Sequence, residues 1–404
     1  MKIIYYSPHP THDIVSEVGY ATHQREVINA LKAQGHQVIP VIMGGTEPGN
    51  LSPQGVTASP RSFKAILKKI IPRFLWTTLK DYKLTKHDTR AAAELEKAII
   101  QHQPDLVYER SEYLQDKGVG IIKKYGVKYF LEVNAPFVEE MNGFEGYSMM
   151  HKAAHRKEKN KLAAADKVFV VSSALSDFLI VRYQCNADKI VLQPNCINPA
   201  SVQTDESFIH KLKTTHNLYG KSIVGFVGSI FPHHGVDVMI EGFSMLAKQY
   251  PQMVLIIVGD GSIVDQLKSL TENKKLQDRV LFLGKQPHQM IYNYISLMDI
   301  CMMAKSNWYG SPIKIFEYGI LGKPVIAPDT IPVRDVMDNG THGLLIETTA
   351  GEVAGAIIKL IENRDLRDSV ANNFKELIIA NYTWNKAAKT IAAQAGYDHA
   401  TTGH

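Results

Sequence analysis

Along the 404-residue chain, apolar positions follow two recurring patterns, short unbroken runs and longer stretches with a repeat of three to four residues. An unbroken run of four to eight residues suits a strand buried on both faces, and the longer repeat suits a helix lying over such a strand. KIIYYS leads into a loop through Gly19, a helix over 22–34 stopped by Gly35, and the run HQVIPVIM, which together make one strand–helix–strand unit. DLVYE (105–109), VKYFLEV (127–133) and KVFVVS (167–172) repeat the pattern, the last leading into a helix after Ser172 and Ser173. Alternation of this kind predicts a parallel sheet with helices on both faces.

QPNCINPAS (193–201) has no period and is bounded by proline and asparagine, so it reads as an interdomain linker. The alternation then restarts. SIVGFVGS (222–229) precedes a helix from Val236, MVLIIVGDG (253–261) a helix ending near Thr271, and RVLFLGK (279–285) a helix near Met290. DICMMA (299–304), a further helix, PVIAP (324–328) and GLLIE (343–347) follow, and the sequence is helical from 351 to about 396. The expectation is an α/β protein with two doubly wound, Rossmann-like parallel-sheet domains, 1–198 and 199–380, facing a central cleft, with 381–404 as a helix returning to the first domain.

Composition narrows the class. With 45% hydrophobic and 21% charged residues the chain has the balance of a globular protein. Cys185, Cys196 and Cys301 lack the paired spacing of a disulfide framework or zinc site, which points to a reducing compartment. The opening MKIIYYSPHPTHD has no apolar stretch long enough for a signal peptide or a membrane span, so the expected location is the cytoplasm. The net charge of +5 is concentrated in 61–90, where nine Lys or Arg face only Asp81 and Asp88. Basicity this local argues against a nucleic-acid binder. Within that stretch Ile66, Leu67, Ile70, Ile71, Phe74 and Leu75 recur at four-residue intervals with Lys64 and Lys68 on the flank, which predicts amphipathic helices kinked or divided at Pro72. It reads either as a patch that docks peripherally on the inner face of an anionic membrane, or as an insertion packed on its own domain with solvated lysines.

The most informative stretch for chemistry is SPIKIFEYGILGKPVIA (311–327). Ser311 is a good N-cap and Pro312 suits a first helical position, while Gly322 and Pro324 stop the helix before a strand. The amides at such a helix start, with the helix dipole, suit a diphosphate. Lys314 and Glu317, three apart, share one face of an otherwise apolar helix, either as ligand-binding groups or as a surface ion pair. Gly259-Asp260-Gly261 resembles part of a dinucleotide fingerprint, but the glycine series is incomplete and lies far from the first strand–helix turn, which disfavours a nicotinamide-dependent oxidoreductase. In the first half, Glu17, Gly19, Tyr20 and His23 lie in or after the first loop. Glu109, Arg110, Glu132 and Asn134 lie at or just beyond strand ends, where open α/β sheets bind ligands.

SPIKIFEYGILGKPVIA closely resembles the donor-site segment of retaining glycosyltransferases of the GT-B fold, in the nucleotide-sugar-dependent family 4. GYATH, YERSEY, LEVNAPFVEE, DKVFVVSSAL, QPN, GSIFPHHGVDVMI, IIVGDG and VLFLGKQPH add to the likeness, which covers nearly the whole chain. The resemblance implies transfer of a sugar from a UDP-, GDP- or ADP-linked donor to a hydroxyl acceptor, which could be a glycan, a lipid-linked carrier or a small molecule, with no metal or other cofactor. It implies that Glu317 binds the donor ribose and that Lys314 meets the diphosphate together with the amides following Ser311, Pro312 and Ile313. The first glutamate of the family's pair falls at Gly310, which leaves the sugar contact unassigned. Where many relatives carry an arginine and a lysine on the loop Gly228 to Gly235, this chain has Ser229 and His234, so basic help falls to His234, His233, Lys314 or Lys305. A histidine beside a phosphate tends to hold its proton, so activity would fall as pH rises. The other reading is that these histidines cap the helix after Gly235.

Gly228, Gly235 and Gly259 complete the expected donor side, with Lys285 and Gln286 near the nucleobase. Catalysis is expected of Glu317, Lys314 and His234, and the departing phosphate oxygen is expected to take the acceptor's proton. On the acceptor side fall Glu17, Gly19, Tyr20, His23, Glu109, Arg110 and Asn134, with His23 read chiefly as structural. The alternatives are an epimerase or hydrolase of the same architecture, or a non-catalytic nucleotide-sugar binder.

Overall fold

The computed structural model describes residues 1–46 and 72–397. Of the basic stretch 61–90, positions 61–71 lie outside the described residues. The chain divides into two compact units, Met1–Gln193 with Asn385–His404, and Pro194–Trp384.

In the first unit, six parallel strands, β1 (Lys2–Ser7), β2 (Gln37–Ile42), β3 (Leu106–Arg110), β4 (Lys128–Val133), β5 (Lys167–Val170) and β6 (Ile190–Leu192), run in the order β2-β1-β3-β4-β5-β6. The helices are α1 (Gly19–Ala33), α2 (Arg73–His102), α3 (Lys117–Tyr125), α4 (Phe137–Glu145), α5 (His151–Ala164) and α6 (Ser173–Tyr183). The sequence pattern missed β6, a three-residue edge strand with one exposed residue, too short to carry a period. It also placed Gly19 in a loop, whereas α1 begins there. Ser172 does cap α6, its hydroxyl accepting from the Leu175 amide at 3.1 Å.

Pro72 stands at the N-cap of α2 rather than inside a helix, so no kink falls within the described part of the basic stretch. Two acidic residues of this helix, Asp81 and Asp88, turn inward. Asp81 accepts from the Tyr113 hydroxyl at 3.1 Å, and Asp88 pairs with Lys157 and accepts from the Asp116 amide that opens α3. The surface left outside is cationic, with exposed Lys80, Lys83, Lys86 and Arg90 beside exposed Phe74, Leu75, Leu79 and Tyr82.

The second unit holds β7 (Ser222–Val227), β8 (Met253–Val258), β9 (Val280–Phe282), β10 (Ile300–Met302), β11 (Val325–Pro328) and β12 (Leu344–Ile346), all parallel, in the order β12-β11-β10-β7-β8-β9. Alternate residues of each central strand feed opposite cores. Ile223 and Val227 belong to one apolar cluster, Val224 and Phe226 to the other, which is why the run reads as continuously hydrophobic. The helices are α7 (Glu206–Thr215), α8 (Val236–Leu246), α9 (Val264–Asn273), α10 (Ile291–Leu297), α11 (Ile313–Ile320), α12 (Ile331–Arg334), α13 (Ala350–Glu362) and α14 (Arg364–Asn381), and the chain then passes into α15 (Trp384–Gln394).

The proline- and asparagine-rich stretch is not a free linker: from Pro194 it belongs to the second unit, with Ile197 bridged to Thr383. The units therefore meet at 193/194 and 384/385, a few residues from the boundaries at 198 and 380 expected from composition. From Asn385 onward α15 and the chain after it belong to the first unit. There Asn385 Oδ1 accepts from Gln34 at 2.8 Å, and the Ala395 carbonyl accepts from Lys128 Nζ at 2.8 Å.

Each sheet has one place where its strand order reverses, between β1 and β3 in the first unit and between β7 and β10 in the second. Chains leaving the carboxyl ends of two such strands diverge to opposite faces and leave a crevice, where open α/β sheets bind ligands.

Candidate active site

In the second unit, the loops leaving β7 and β10 and the start of α11 line a pocket of about 100 Å³. Its lining includes His233, His234, Ser306, Asn307, Lys314 and Ser311, with no carboxylate. Tyr318 seats the helix. In the register, β10 pairs with β7 only at Val224 and Gly225, and the Tyr318 hydroxyl takes the Val227 amide at 2.9 Å beyond that point. Gly319 lets α11 press on α14, since a Cβ there would lie 2.6 Å from Phe374 Cδ1. Lys314 is four residues before Tyr318 and so projects from the same helix face toward the end of β7.

There the Lys314 ammonium lies 3.2 Å from His234 Nε2 and 5.5 Å above the Phe226 ring. Its aliphatic chain crosses Gly228, where a Cβ would stand 2.2 Å from Lys314 Cε. Burial lowers the Lys314 pKa to about 8, opposed by Glu317. His234 Nδ1 meets the Ser229 carbonyl at 2.5 Å. With Nδ1–H donating there, Nε2 is left to accept from the lysine, which assigns a neutral ring. Burial first, then Lys314 and His233, push the His234 pKa down to about 3. The expected protonated histidine is therefore corrected for the protein alone, because the neighbouring ammonium and burial both oppose its charge. Neither His233 nor His234 caps α8 through its side chain: Gly235 is the N-cap.

Ser311 does not cap α11 either. Its hydroxyl accepts from the Asn195 amide at 3.1 Å, and its carbonyl accepts from Asn195 Nδ2 at 2.6 Å, so Pro312 becomes the N-cap and the helix starts at Ile313. Glu317 is buried and lies 3.6 Å from His288 rather than in a surface pair with Lys314. Burial raises its pKa, opposed by His288 and Lys314. At Gly310 the Asn307 side chain fills the space of a side chain: a Cβ would lie 2.6 Å from Asn307 Oδ1, which accepts from the Gly310 amide.

Gly259 and Gly261 are fixed by backbone approach, with a Cβ at Gly259 placed 1.9 Å from the Gly228 carbonyl oxygen and one at Gly261 2.0 Å from that of Ile230. That turn braces the loop after β7. Lys285 is exposed, and the Gln286 amide is spent on the Leu283 carbonyl at 2.7 Å.

In the first unit Glu132 is a hub. It accepts from Arg110 at 2.7 Å, Asn134 at 2.5 Å and the Tyr108 hydroxyl at 2.9 Å, and pairs with His23 at 2.9 Å. Burial would raise its pKa, but His23, Arg110 and Asn134 outweigh that and hold it far below the usual carboxylate range. Glu109 is not part of this group. Alternation along β3 sends it to the opposite face, where it accepts from the Tyr129 hydroxyl at 3.0 Å and burial pushes its pKa up to about 8. Glu17 is exposed just before α1, Gly19 opens that helix, and Tyr20 stacks on His12. Sequence reasoning missed His12, Glu112, Asn307 and His288. The HPTHD after β1 and the KQPH after β9 were legible as loops at strand ends, but their partners are distant in sequence.

The family described as "Glycosyltransferase Family 4" matches residues 19–201, and that described as "Glycosyl transferases group 1" matches 209–377. The chain is a glycosyltransferase of the group 1 and family 4 type. The glycosyltransferase is 26% identical over 227 residues to an uncharacterized glycosyltransferase of Methanocaldococcus jannaschii, covering 56% of this chain and 57% of that protein. It is 28% identical over 183 residues to the alpha-D-kanosaminyltransferase of Streptomyces kanamyceticus, covering 45% and 47%. The glycosyltransferase thus spans about half the length of the curated relatives it matches. In fold it is similar to Anabaena HepE, solved in complex with UDP, with a TM-score of 0.72 at 17% identity over 98% of this chain and 100% of that one. This likeness supports the two-domain GT-B architecture. Among the described residues no helix is long and apolar enough to cross a membrane.

Proposed function

We propose that this glycosyltransferase transfers a sugar from a nucleotide diphosphate donor to a hydroxyl acceptor, with retention at the anomeric carbon as the family resemblance implies. The observation that carries this is Lys314, held over Gly228 at the strand reversal of the second sheet, beside a pocket lined by two histidines and no carboxylate. An ammonium and helix-start amides there meet the charge that builds on a leaving diphosphate as its bond to the sugar breaks, so they act mainly in the transition state. Glu317, one turn further on, is a carboxylate able to accept both hydrogen bonds of a ribose diol. No resident metal is part of this reading, since Lys314 and the amides carry the diphosphate's charge. Anabaena HepE, solved in complex with UDP and with UDP-glucose, supports a nucleotide-linked donor. The reading also assigns the cationic and apolar outer face of α2 to contact with an anionic membrane.

Incubation with UDP-, GDP- and ADP-linked sugars and a cell extract as acceptor source, with mass spectrometry of the released nucleotide, tests the reading. Release of one nucleoside diphosphate with a matching mass gain in an acceptor is expected. Binding of a nucleotide with no release from any donor would favour a non-catalytic binder, and release with no glycosylated product a hydrolase.

A further inference from the structure

In the donor site described above, Lys314 meets the diphosphate and Glu317, one turn further along α11, the ribose, while the sugar itself has no contact. Because the sugar is joined to the other side of the diphosphate, it falls toward the opposite end of the site, where residues 306–312 lead into α11. Asn307 and Gly310 line the pocket there together with Lys314.

Gly310 is a glycine on account of Asn307 and not of its own backbone. Its φ is not positive, unlike that of Gly228 or Gly259. A Cβ there would nevertheless stand 2.6 Å from Asn307 Oδ1 and 3.1 Å from Nδ2. Oδ1 accepts from the Gly310 amide at 2.7 Å, which assigns the two ends of the carboxamide. Nδ2 then carries both N–H groups, and among the described residues it meets no acceptor. The pocket wall thus presents a held, unspent donor.

Such a wall selects by hydrogen-bond type. Facing two N–H groups, the best-matched substituent is a strong acceptor, an amide carbonyl or a carboxylate, rather than a hydroxyl. A hydroxyl would also have its own proton to place, and the lining holds no carboxylate to take it. Ser306 Oγ is already 3.2 Å from Thr330 Oγ1, and His234 Nε2 is 3.2 Å from the Lys314 ammonium. Between the two strong acceptors charge decides. Lys314 already faces the diphosphate, so a carboxylate on the sugar would lack a partner, whereas a carbonyl needs none. Met303 and Pro312 in the same lining give the methyl of an acyl group an apolar place.

We propose that Asn307 selects the transferred sugar, and that this sugar carries an N-acyl group whose carbonyl accepts from Asn307 Nδ2. This rests on the sugar-transfer reading above and narrows its donor to one class of sugar. Asn307 is the specificity-determining residue, and the missing side chain at Gly310 is the space that admits it.

The test is titration calorimetry with glucose, 2-acetamido-2-deoxyglucose and glucuronic acid, each linked to UDP, GDP and ADP, and with the three nucleoside diphosphates alone. In the nucleotide series that binds, the acetamido donor should bind about tenfold tighter than the glucose donor. Asn307→Asp keeps the shape and the bond to Gly310 but turns the free end into an acceptor, so the preference should vanish or reverse. Both donors carry the same diphosphate, so the charge added near Lys314 cancels from their ratio. Gly310→Ala, which pushes Asn307 aside without adding charge, should lower the ratio in the same direction while the bare nucleoside diphosphate binds as in wild type. A wild-type ratio within about twofold of one overturns the proposal and leaves the donor site standing. So does a ratio that Asn307→Asp leaves unchanged, or a glucuronate donor that binds tighter than the acetamido donor. A wild-type protein that binds none of the nucleoside diphosphates removes the donor site, and the proposal with it.

Discussion

Gly228 is a glycine because Lys314 lies where its side chain would be: a Cβ there would stand 2.2 Å from Lys314 Cε, at a backbone φ of +147°. Gly228→Ala should push the ammonium off its position and lower nucleoside diphosphate affinity by about tenfold, roughly 1.4 kcal/mol. Because the clash is with the flexible end of a lysine, the loss of stability should be smaller than for Gly259→Ala, whose Cβ would meet the Gly228 carbonyl at 1.9 Å with no side chain to move. Calorimetry and thermal denaturation of the two variants check this, and wild-type affinity in Gly228→Ala would contradict it.

The ammonium of Lys314 titrates near neutrality, at about 8, because burial disfavours its charge more than Glu317 supports it. Diphosphate affinity should therefore fall between about pH 7 and pH 9 as the lysine loses its proton. Lys314→Arg should flatten that profile. His234→Asn should leave its midpoint in place, since His234 is already neutral there. A midpoint that follows His234 instead would restore the protonated histidine expected from sequence.

Removal of the Glu317 carboxylate tests the ribose assignment. Glu317→Ala should weaken nucleotide binding by roughly 1–3 kcal/mol, the scale of a lost partner for a buried polar group. Equal affinity for a nucleotide and its 2′,3′-dideoxy analogue in the wild-type protein would remove the assignment.

Glu109 makes a prediction about stability alone. Its folded pKa of about 8 lies above the ordinary 4.5 because burial penalises the charged form. The stability tied to its proton is complete below about pH 4.5 and is lost as pH rises through about 8, at roughly 1.4 kcal/mol per unit. Glu109→Gln, which copies the protonated carboxyl, should gain on wild type between pH 5 and pH 9 in denaturant midpoints. A constant difference across that range would show that Glu109 is ionised in the folded protein.

Vesicle binding tests the outer face of α2. Co-sedimentation with phosphatidylserine vesicles at low salt should be lost when Lys80, Lys83 and Lys86 are replaced by glutamate. Protein that stays in the supernatant with such vesicles contradicts the membrane contact.

Much of the architecture was legible because strands buried on both faces leave unbroken apolar runs, and β7, β8 and β11 stand close to where those runs lie. β6 was not, because three residues at a sheet edge carry no period. Within the site, Lys314 and Glu317 were legible from spacing on one helix, since neighbours three apart follow from the helix itself. Ser311 misled because its hydroxyl is spent on Asn195, 116 positions away. His288 beside Glu317 and His12 beside Glu112 are products of the fold, and nothing local in the chain announces either pair.

The central claim is that the start of α11, with Lys314 stretched over Gly228, grips a nucleoside diphosphate. Titration calorimetry of UDP, GDP and ADP, with their parent nucleosides as controls, against wild type and Lys314→Met tests it most directly. One diphosphate should bind, its affinity should fall at least about tenfold in Lys314→Met, and the weak binding of the nucleoside should not change. A diphosphate that binds Lys314→Met as tightly as wild type, or a wild-type protein that binds none of the three, would contradict the account.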